Sequence, residues 1–150
     1  MAKTPDFAFL QECYEGRGSD MLSDEERQAI VKYRLEKAFE TLAEARDCGA
    51  MNHWTLAANR LYYASYHASS ALLIKNELQA KTHSGVITLI GNNFVKEGAL
   101  SKDDARLLAR LQNMRHSGDY DDFAEWHREE VEPLFEKVEN YINKIKTLVE

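Results

Sequence analysis

The chain has few of the residues that interrupt or cross-link a fold: its 150 residues include two prolines and two cysteines. Because no stretch rich in Pro, Gly or Ser divides the sequence, we expect one domain with one hydrophobic core. Cys13 and Cys48 lie far apart and outside any C-x-x-C or zinc-ligand spacing. This pattern favours free thiols in a reducing compartment over a disulfide or a zinc site.

Long apolar runs and an excess of positive charge are also missing. No apolar run approaches the roughly 20 residues that cross a membrane, and the N-terminal residues have no signal-peptide core, so we expect a cytoplasmic protein without a membrane partner. The formal net charge is -6 and the pI is about 5.4. An acidic chain has no general attraction for a polyanion, so DNA is not an expected partner and any contact with RNA or a nucleotide must be local.

Strand signals are absent too, because no alternating Val/Ile/Thr run lies between turn dipeptides. Helical periodicity and helix caps instead predict an all-α fold, an up-down bundle of four to five helices over residues 23–150, after an N-terminal extension of residues 1–22. The helix starts are predicted at the capping box Ser23–Glu26, at Asn52, at Thr82 or Ser84, at Ser101–Asp104 and near Asp122. The third helix is predicted to run to Lys96.

Helical bundles often hold di-iron centres, which need a Glu-x-x-His pair on facing helices. None of the five histidines has Glu or Asp three residues before it. We therefore expect neither a metal nor another cofactor, and we interpret the acidic helix faces as solvated surface.

The most informative stretch is LLARLQNMRHSGDYDD, residues 107–122. Its apolar residues have helical spacing, and Gly118 falls where a helix C-cap is expected. A guanidinium, an imidazole, a carboxylate and a phenol follow together, and such groups bind phosphate and move protons. Arg115 and His116 are thus candidate catalytic residues, with Asp119 and Tyr120 as candidate binding residues. Alternatively, Arg115 pairs with Asp119 and caps the helix while Tyr120 packs beneath it.

A second candidate region is LYYASYHASSALL, which carries an aromatic ladder of Tyr62, Tyr63, Tyr66 and His67. Aromatic residues at helical spacing usually pack in a core, and that is the favoured interpretation here. However, Arg60 lies one turn before Tyr63, so both could face a cleft and bind a ligand. His83, in KTHSG, is either a capping or loop residue or a further binding residue.

With these residues in view, the chain resembles the HEPN domain (higher eukaryotes and prokaryotes nucleotide-binding), in its small stand-alone prokaryotic branch. The matching segments are NRLYYASYHASSALL, KTHSG, NFVKEGALSKDD and RHSGDYDD, whose order and spacing cover nearly the whole chain from Ser23 onward. The resemblance implies a helical bundle that commonly forms a homodimer. It also implies a partner, a minimal nucleotidyltransferase encoded alongside in a toxin–antitoxin pair.

Active members of that family are metal-independent RNases whose motif is Arg, four to six residues, then His. With the GDY ending aligned, Arg115 takes the place of the motif arginine, but Tyr120 stands where active members have His. The literal spacing also occurs from Arg110 to His116, whose side chains would project about 120° apart on one continuous helix. They would converge only if the helix broke near Met114.

Two hypotheses follow from the resemblance and the residues. One is a non-catalytic binding module for a nucleotide or the nucleotidyltransferase partner. The other is an RNase toxin with an Arg/His site at a dimer interface. A tyrosine with the usual pKa of about 10 is a poor base at neutral pH, so the missing histidine favours the binding module.

Overall fold

The computed structural model describes residues 22–120 and 125–150, except for the side chains of residues 118–120. The regular structure in these two ranges is helical throughout, which confirms the all-α prediction. The helices are α1 (Asp24–Ala50), α2 (Trp54–Lys75), α3 (His83–Ile90), a π-helical turn (Gly91–Val95), α4 (Lys102–Tyr120) and α5 (Arg128–Val149). The predicted extension lies outside the described residues apart from Leu22, whose side chain is buried.

Local side-chain chemistry explains most helix starts. Ser23 and Glu26 form the predicted capping box, each accepting a hydrogen bond of 3.1 Å from the other's backbone N–H. Thr82 Oγ1 caps α3 by accepting from the Gly85 N–H at 2.9 Å. Ser101 caps α4 through the Asp104 N–H at 3.1 Å. Capping satisfies backbone donors that a helix start would otherwise leave unpaired, so these residues fix where the helices begin.

Four boundary predictions need correction. His53, not Asn52, occupies the N-cap position of α2, because Asn52 adopts a left-handed φ of 63° in the turn from α1. Helix α4 does not end at Gly118 but runs to Tyr120. The last helix begins at Arg128 instead of near Asp122, and it continues through Pro133 without interruption. The third segment is α-helical only to Ile90, after which it widens into the π-helical turn.

Helix α2 is the centre of the bundle and contacts each of the other four helices. Small residues along it let those neighbours approach closely, since Ala57, Ala64, Ala68 and Ala71 are fully buried. Leu61 is also fully buried in the same core. The prediction that α2 forms the core of a bundle is confirmed, and its remaining half-exposed face is left to carry polar and aromatic groups.

Two further contacts fix the position of α2. A buried hydrogen bond of 2.6 Å joins Ser69 Oγ of α2 to the Tyr141 hydroxyl of α5. At the other end, a Cβ on Gly49 would lie 2.9 Å from the Trp54 ring and 3.0 Å from the Phe135 ring. Glycine is therefore needed where α1 meets the start of α2. Among the described helices, none is long and apolar enough to cross a bilayer.

Candidate functional site

The half-exposed face of α2, the start of α3 and the end of α4 meet at a group of rings that we call the aromatic cluster: Tyr62, Tyr63, Tyr66 and His83. The imidazole of His83 stacks on the Tyr66 ring with centroids 4.5 Å apart and planes 11° from parallel. The Tyr62 hydroxyl lies 2.5 Å from His83 Nδ1. Tyr63 meets Tyr62 and His83 edge to face. The rings thus form one contiguous surface contributed by two helices.

Local sequence accounts for this assembly. Tyr62 and Tyr66 are four residues apart and so lie one above the other on α2, where their rings stack with centroids 6.3 Å apart. The Thr82 cap makes His83 the first residue of α3. Because a helix start fixes the backbone there, the imidazole is placed against the rings of Tyr62 and Tyr66.

Two guanidinium groups lie on the rings. Arg115 from α4 lies over Tyr62 and Tyr63, with its Cζ 5.4 Å and 5.6 Å from the ring centroids. Arg60 from α2 lies 5.1 Å over Tyr63. The Asn59 side-chain carbonyl accepts from Arg60 Nε at 3.3 Å and Nη2 at 2.9 Å, which orients that guanidinium. Such cation–π contacts hold positive charge at a fixed place beside the rings.

Burial and neighbouring charges determine the protonation states of His83 and Tyr62. Burial, then the Arg115 charge, lower the pKa of His83 below its usual range. Burial raises the pKa of Tyr62 to about 12. At neutral pH the imidazole is therefore uncharged and the phenol is protonated. The Tyr62 hydroxyl and His83 Nδ1 share this hydrogen bond, and the tautomer of the imidazole decides which of the two donates.

A cleft of about 560 Å³ opens beside Arg115. Its walls are the turn and first residues of α2, the end of α4, and residues 125–127. Trp126 fixes the third wall, because its backbone N–H donates to Thr55 Oγ1 at 2.9 Å and its Nε1–H donates to the Met114 carbonyl at 3.1 Å. Arg115 and Asn59 both line this cleft, so Arg115 stands between the open space and the aromatic cluster.

The structure brings together four of the residues singled out from sequence: Arg60, Tyr63, His83 and Arg115. His116 is exposed and one position further around α4. The guanidinium of Arg110 lies over the Trp126 ring at 5.4 Å. Helix α4 is unbroken between Arg110 and His116, so the separation of about 120° stands and the two side chains do not converge.

Two site predictions fall outside what the structure describes, namely the side chains of Asp119 and Tyr120. Conversely, sequence reasoning assigned Tyr62 and Tyr66 to the core and gave no role to Trp126. Tyr62 is indeed buried at 3% exposure, yet its hydroxyl reaches His83. A signal was present, since a tyrosine in a row of buried alanines and leucines needs a partner for its hydroxyl.

Comparison with known proteins places this chain in a family. A sequence model of the HEPN domain matches residues 31–148. A "UPF0332 protein" of Thermotoga maritima is 32% identical over 125 residues, which cover 83% of this chain and 95% of that protein. Two proteins of Methanocaldococcus jannaschii are also similar. "Putative toxin MJ0605" is 33% identical over 81% of this chain and 87% of its own length. "Putative toxin MJ0142" is 30% identical over 75% of this chain and 76% of its own length. This chain therefore belongs to the HEPN domain family.

Proposed function

We propose that this chain is a nucleotide-binding module that acts in a toxin–antitoxin type system. The observation that carries the proposal is the placement of the Arg115 guanidinium over the Tyr62 and Tyr63 rings at the edge of the open cleft. The two archaeal relatives are both named as toxins, which supports a role in a toxin–antitoxin type system. The site itself supports a nucleotide as the ligand, because a fixed cation can bind its phosphate and the neighbouring rings can stack on its base.

The chemistry divides between two parts of the site. Arg115 presents a planar array of donors that matches two phosphate oxygens at once. Tyr63 already carries both guanidinium groups, so a nucleobase is expected to stack on the partly buried imidazole of His83, and such stacking is worth about 1–3 kcal/mol per base. Arg60, held by Asn59, adds a second cation on the same ring of Tyr63. The positive charge is local, which allows an acidic chain to bind an anion.

Calorimetric titration with AMP, ADP and ATP tests the proposal. Replacing Arg115 with Ala removes a charge-assisted contact worth about 1.5–3 kcal/mol, which corresponds to a loss of roughly 10- to 150-fold in affinity. The matched control is Arg106→Ala, since Arg106 is an exposed arginine of the same helix that pairs with Asp103. Equal affinity in the wild type and the Arg115 variant would refute the assignment.

The proposed partners are a second copy of the chain and a minimal nucleotidyltransferase. One helix end supplies few groups to hold a ligand, and a homodimer would bring two copies of Arg115 together. Light scattering should find a dimer at micromolar concentration. Co-expression with the product of a neighbouring nucleotidyltransferase reading frame should give a complex that Arg115→Ala weakens. If light scattering finds a monomer, a site formed by Arg115 residues from two subunits is refuted.

A second candidate function is metal-independent cleavage of RNA. The observation that favours it is that His83 and Arg115 contact the same two tyrosine rings: the imidazole lies beside Tyr62 and Tyr63, and the guanidinium lies over both. A neutral imidazole can take the proton of a ribose 2′-hydroxyl while a guanidinium stabilises the negative charge that develops on the phosphate. A second candidate base is the imidazole of His116, which lies on α4 next to Arg115.

Chelator-resistant cleavage of RNA by the wild type distinguishes the two functions. If the chain is an RNase, Arg115→Ala abolishes cleavage, and either His83→Gln or His116→Gln identifies the base. If it is a binding module, RNA stays intact in all four proteins, and the Arg115 variant differs only in binding. Circular dichroism on each variant checks that the helical fold is retained.

A further inference from the structure

Helices α4 and α5 leave a groove between them, which we call the α4–α5 groove. Its volume is about 940 Å³, and its lining residues come only from α5 and from α4 with its cap residue Ser101. None of these residues lines the cleft beside Arg115. The groove is therefore a separate surface, and its occupant can be tested independently of the nucleotide site.

The α4–α5 groove is basic although the chain is acidic. Its lining includes four basic and two acidic side chains, whereas the whole chain has a formal net charge of -6. Both carboxylates are already paired, one with Arg106 and the other with Lys144. Arg110 and Lys137 have no acidic residue three or four positions away on their own helices, and neither forms an ion pair within the described ranges. The groove therefore offers these two cations to an acidic partner.

The side chains of the groove favour a polypeptide over a nucleic acid. Leu107 of α4 and Leu134 of α5 give it an apolar floor. On α5 the exposed residues Lys137, Asn140 and Lys144 follow one another at i, i+3 and i+7, so they form one row along the groove. The lining includes no aromatic side chain. A single nucleic-acid strand gains much of its affinity by stacking bases on aromatic rings, and this groove has none to offer.

The shape of the groove fits an elongated occupant. Along α5 the lining runs from Leu134 to Thr147, which is about 20 Å at about 1.5 Å per residue. The volume divided by this length gives a mean cross-section of about 47 Å², somewhat more than half that of a helix about 10 Å wide. Small molecules usually bind where a pocket buries most of their surface, whereas walls from only two helices leave one side open. A third helix fits half embedded between α4 and α5.

We infer that the α4–α5 groove binds an acidic amphipathic helix of a partner protein. Carboxylates of that helix pair with Arg110 and Lys137, its apolar side chains cover Leu107 and Leu134, and the Asn140 amide bonds to polar groups at its edge. Charge complementarity decides the sign of the partner. An acidic helix is attracted by the groove and repelled by the rest of this acidic chain, which confines it to the groove.

A library of helical peptides tests the inference with the full-length protein. Each peptide has about 15 residues, enough to span the groove, and is held helical by a side-chain lactam. Glutamates occupy i, i+3 and i+7, and the apolar positions vary. Fluorescence anisotropy should identify binders, and Lys137→Glu should lower their affinity roughly 3- to 30-fold, because charge reversal replaces an attraction with a repulsion. The matched control is Lys146→Glu, which changes an exposed lysine of α5 outside the groove.

A charge swap makes the test specific. Replacing the facing glutamate of a binder with lysine should restore its affinity for Lys137→Glu and weaken its affinity for the wild type. Circular dichroism should show the same helical spectrum for both lysine variants, since both side chains are exposed.

Three results would overturn the inference. The first is that no acidic peptide in the library binds. The second is that Lys137→Glu and Lys146→Glu weaken the binders equally, which would show that the groove has no special role. The third is that no peptide binds but labelled oligouridylate does and is weakened by Lys137→Glu, which would assign the groove to nucleic acid. Because Arg115 lies outside the groove, none of these results bears on the nucleotide site.

Discussion

The buried hydrogen bond between Ser69 and Tyr141 joins α2 to α5, and its two ends should respond unequally to mutation. Burial raises the pKa of the Tyr141 phenol, so its hydroxyl stays protonated. Ser69 Oγ donates to the Ser65 carbonyl at 2.8 Å, so it is the Tyr141 O–H that donates to Ser69 Oγ. In Tyr141→Phe, Ser69 keeps its donor bond and loses only an accepted one. In Ser69→Ala, the Tyr141 hydroxyl is left buried with no acceptor.

The magnitudes follow from this asymmetry. Tyr141→Phe should lower the free energy of unfolding by about 0.5–1.5 kcal/mol, the net worth of one hydrogen bond, and Ser69→Ala by about 1–3 kcal/mol, the cost of an unsatisfied buried donor. For a chain of this length each kcal/mol lowers Tm by about 2–4 °C. The double variant should be more stable than Ser69→Ala alone, since it has no orphaned hydroxyl. Urea denaturation of the wild type, the two single variants and the double variant measures this double-mutant cycle. Equal losses of stability in the two single variants would refute the assignment of the Tyr141 hydroxyl as the donor.

Three further predictions concern the core and two imidazoles. Leu61→Asp should unfold the domain, because Leu61 is fully buried and an unpaired charge there has no compensation; retention of the helical circular dichroism spectrum would contradict this. The pKa of His67 is about 4 in the folded state and about 6.5 in the unfolded state. As pH falls from about 6.5 to about 4, His67 therefore binds a proton in the unfolded state but not in the folded state. The free energy of unfolding should then fall by at most about 1.4 kcal/mol per pH unit, less because the ring is partly exposed. Urea denaturation at pH 7 and pH 5 should show a smaller decrease for His67→Gln than for wild type. Removing the charge in Arg115→Met should raise the pKa of His83 toward its ordinary value, and an unchanged NMR titration would show that the two groups do not interact.

Much of the fold could be predicted because its signals are local. The capping residues Ser23, Thr82 and Ser101 act within three positions of themselves, and all three form the predicted hydrogen bonds. Burial of α2 followed from its small residues, which is a property of one segment. The boundary at Asn52 was harder, because asparagine serves both as an N-cap and in the left-handed conformation, and the turn from α1 selects the second.

The candidate site could be predicted only in part, because its contacts join distant segments. Arg115 stood out through the polar residues around it, whereas the hydrogen bond from Tyr62 to His83 spans 21 positions and leaves no periodic signal. The same limit explains why no role was predicted for Trp126. Its two hydrogen bonds reach α2 and α4 from a segment without a helical pattern. Arg110 has the family spacing to His116, but an unbroken helix turns the two residues to different sides.

The position of Arg115 between the cleft and His83 links binding of an anion to the protonation of the imidazole. The guanidinium charge that we propose binds a phosphate is also one of the causes that lower the pKa of His83. A bound phosphate offsets that charge, so it should raise the pKa of His83, and by thermodynamic reciprocity protonation of His83 should strengthen phosphate binding. An arginine that lay away from the rings would attract the same phosphate without this linkage. If a phosphate binds at Arg115 as proposed, the stacking of Arg115 on Tyr62 and Tyr63 does more than fix a cation in place, because the protonation of His83 then depends on whether the ligand is bound.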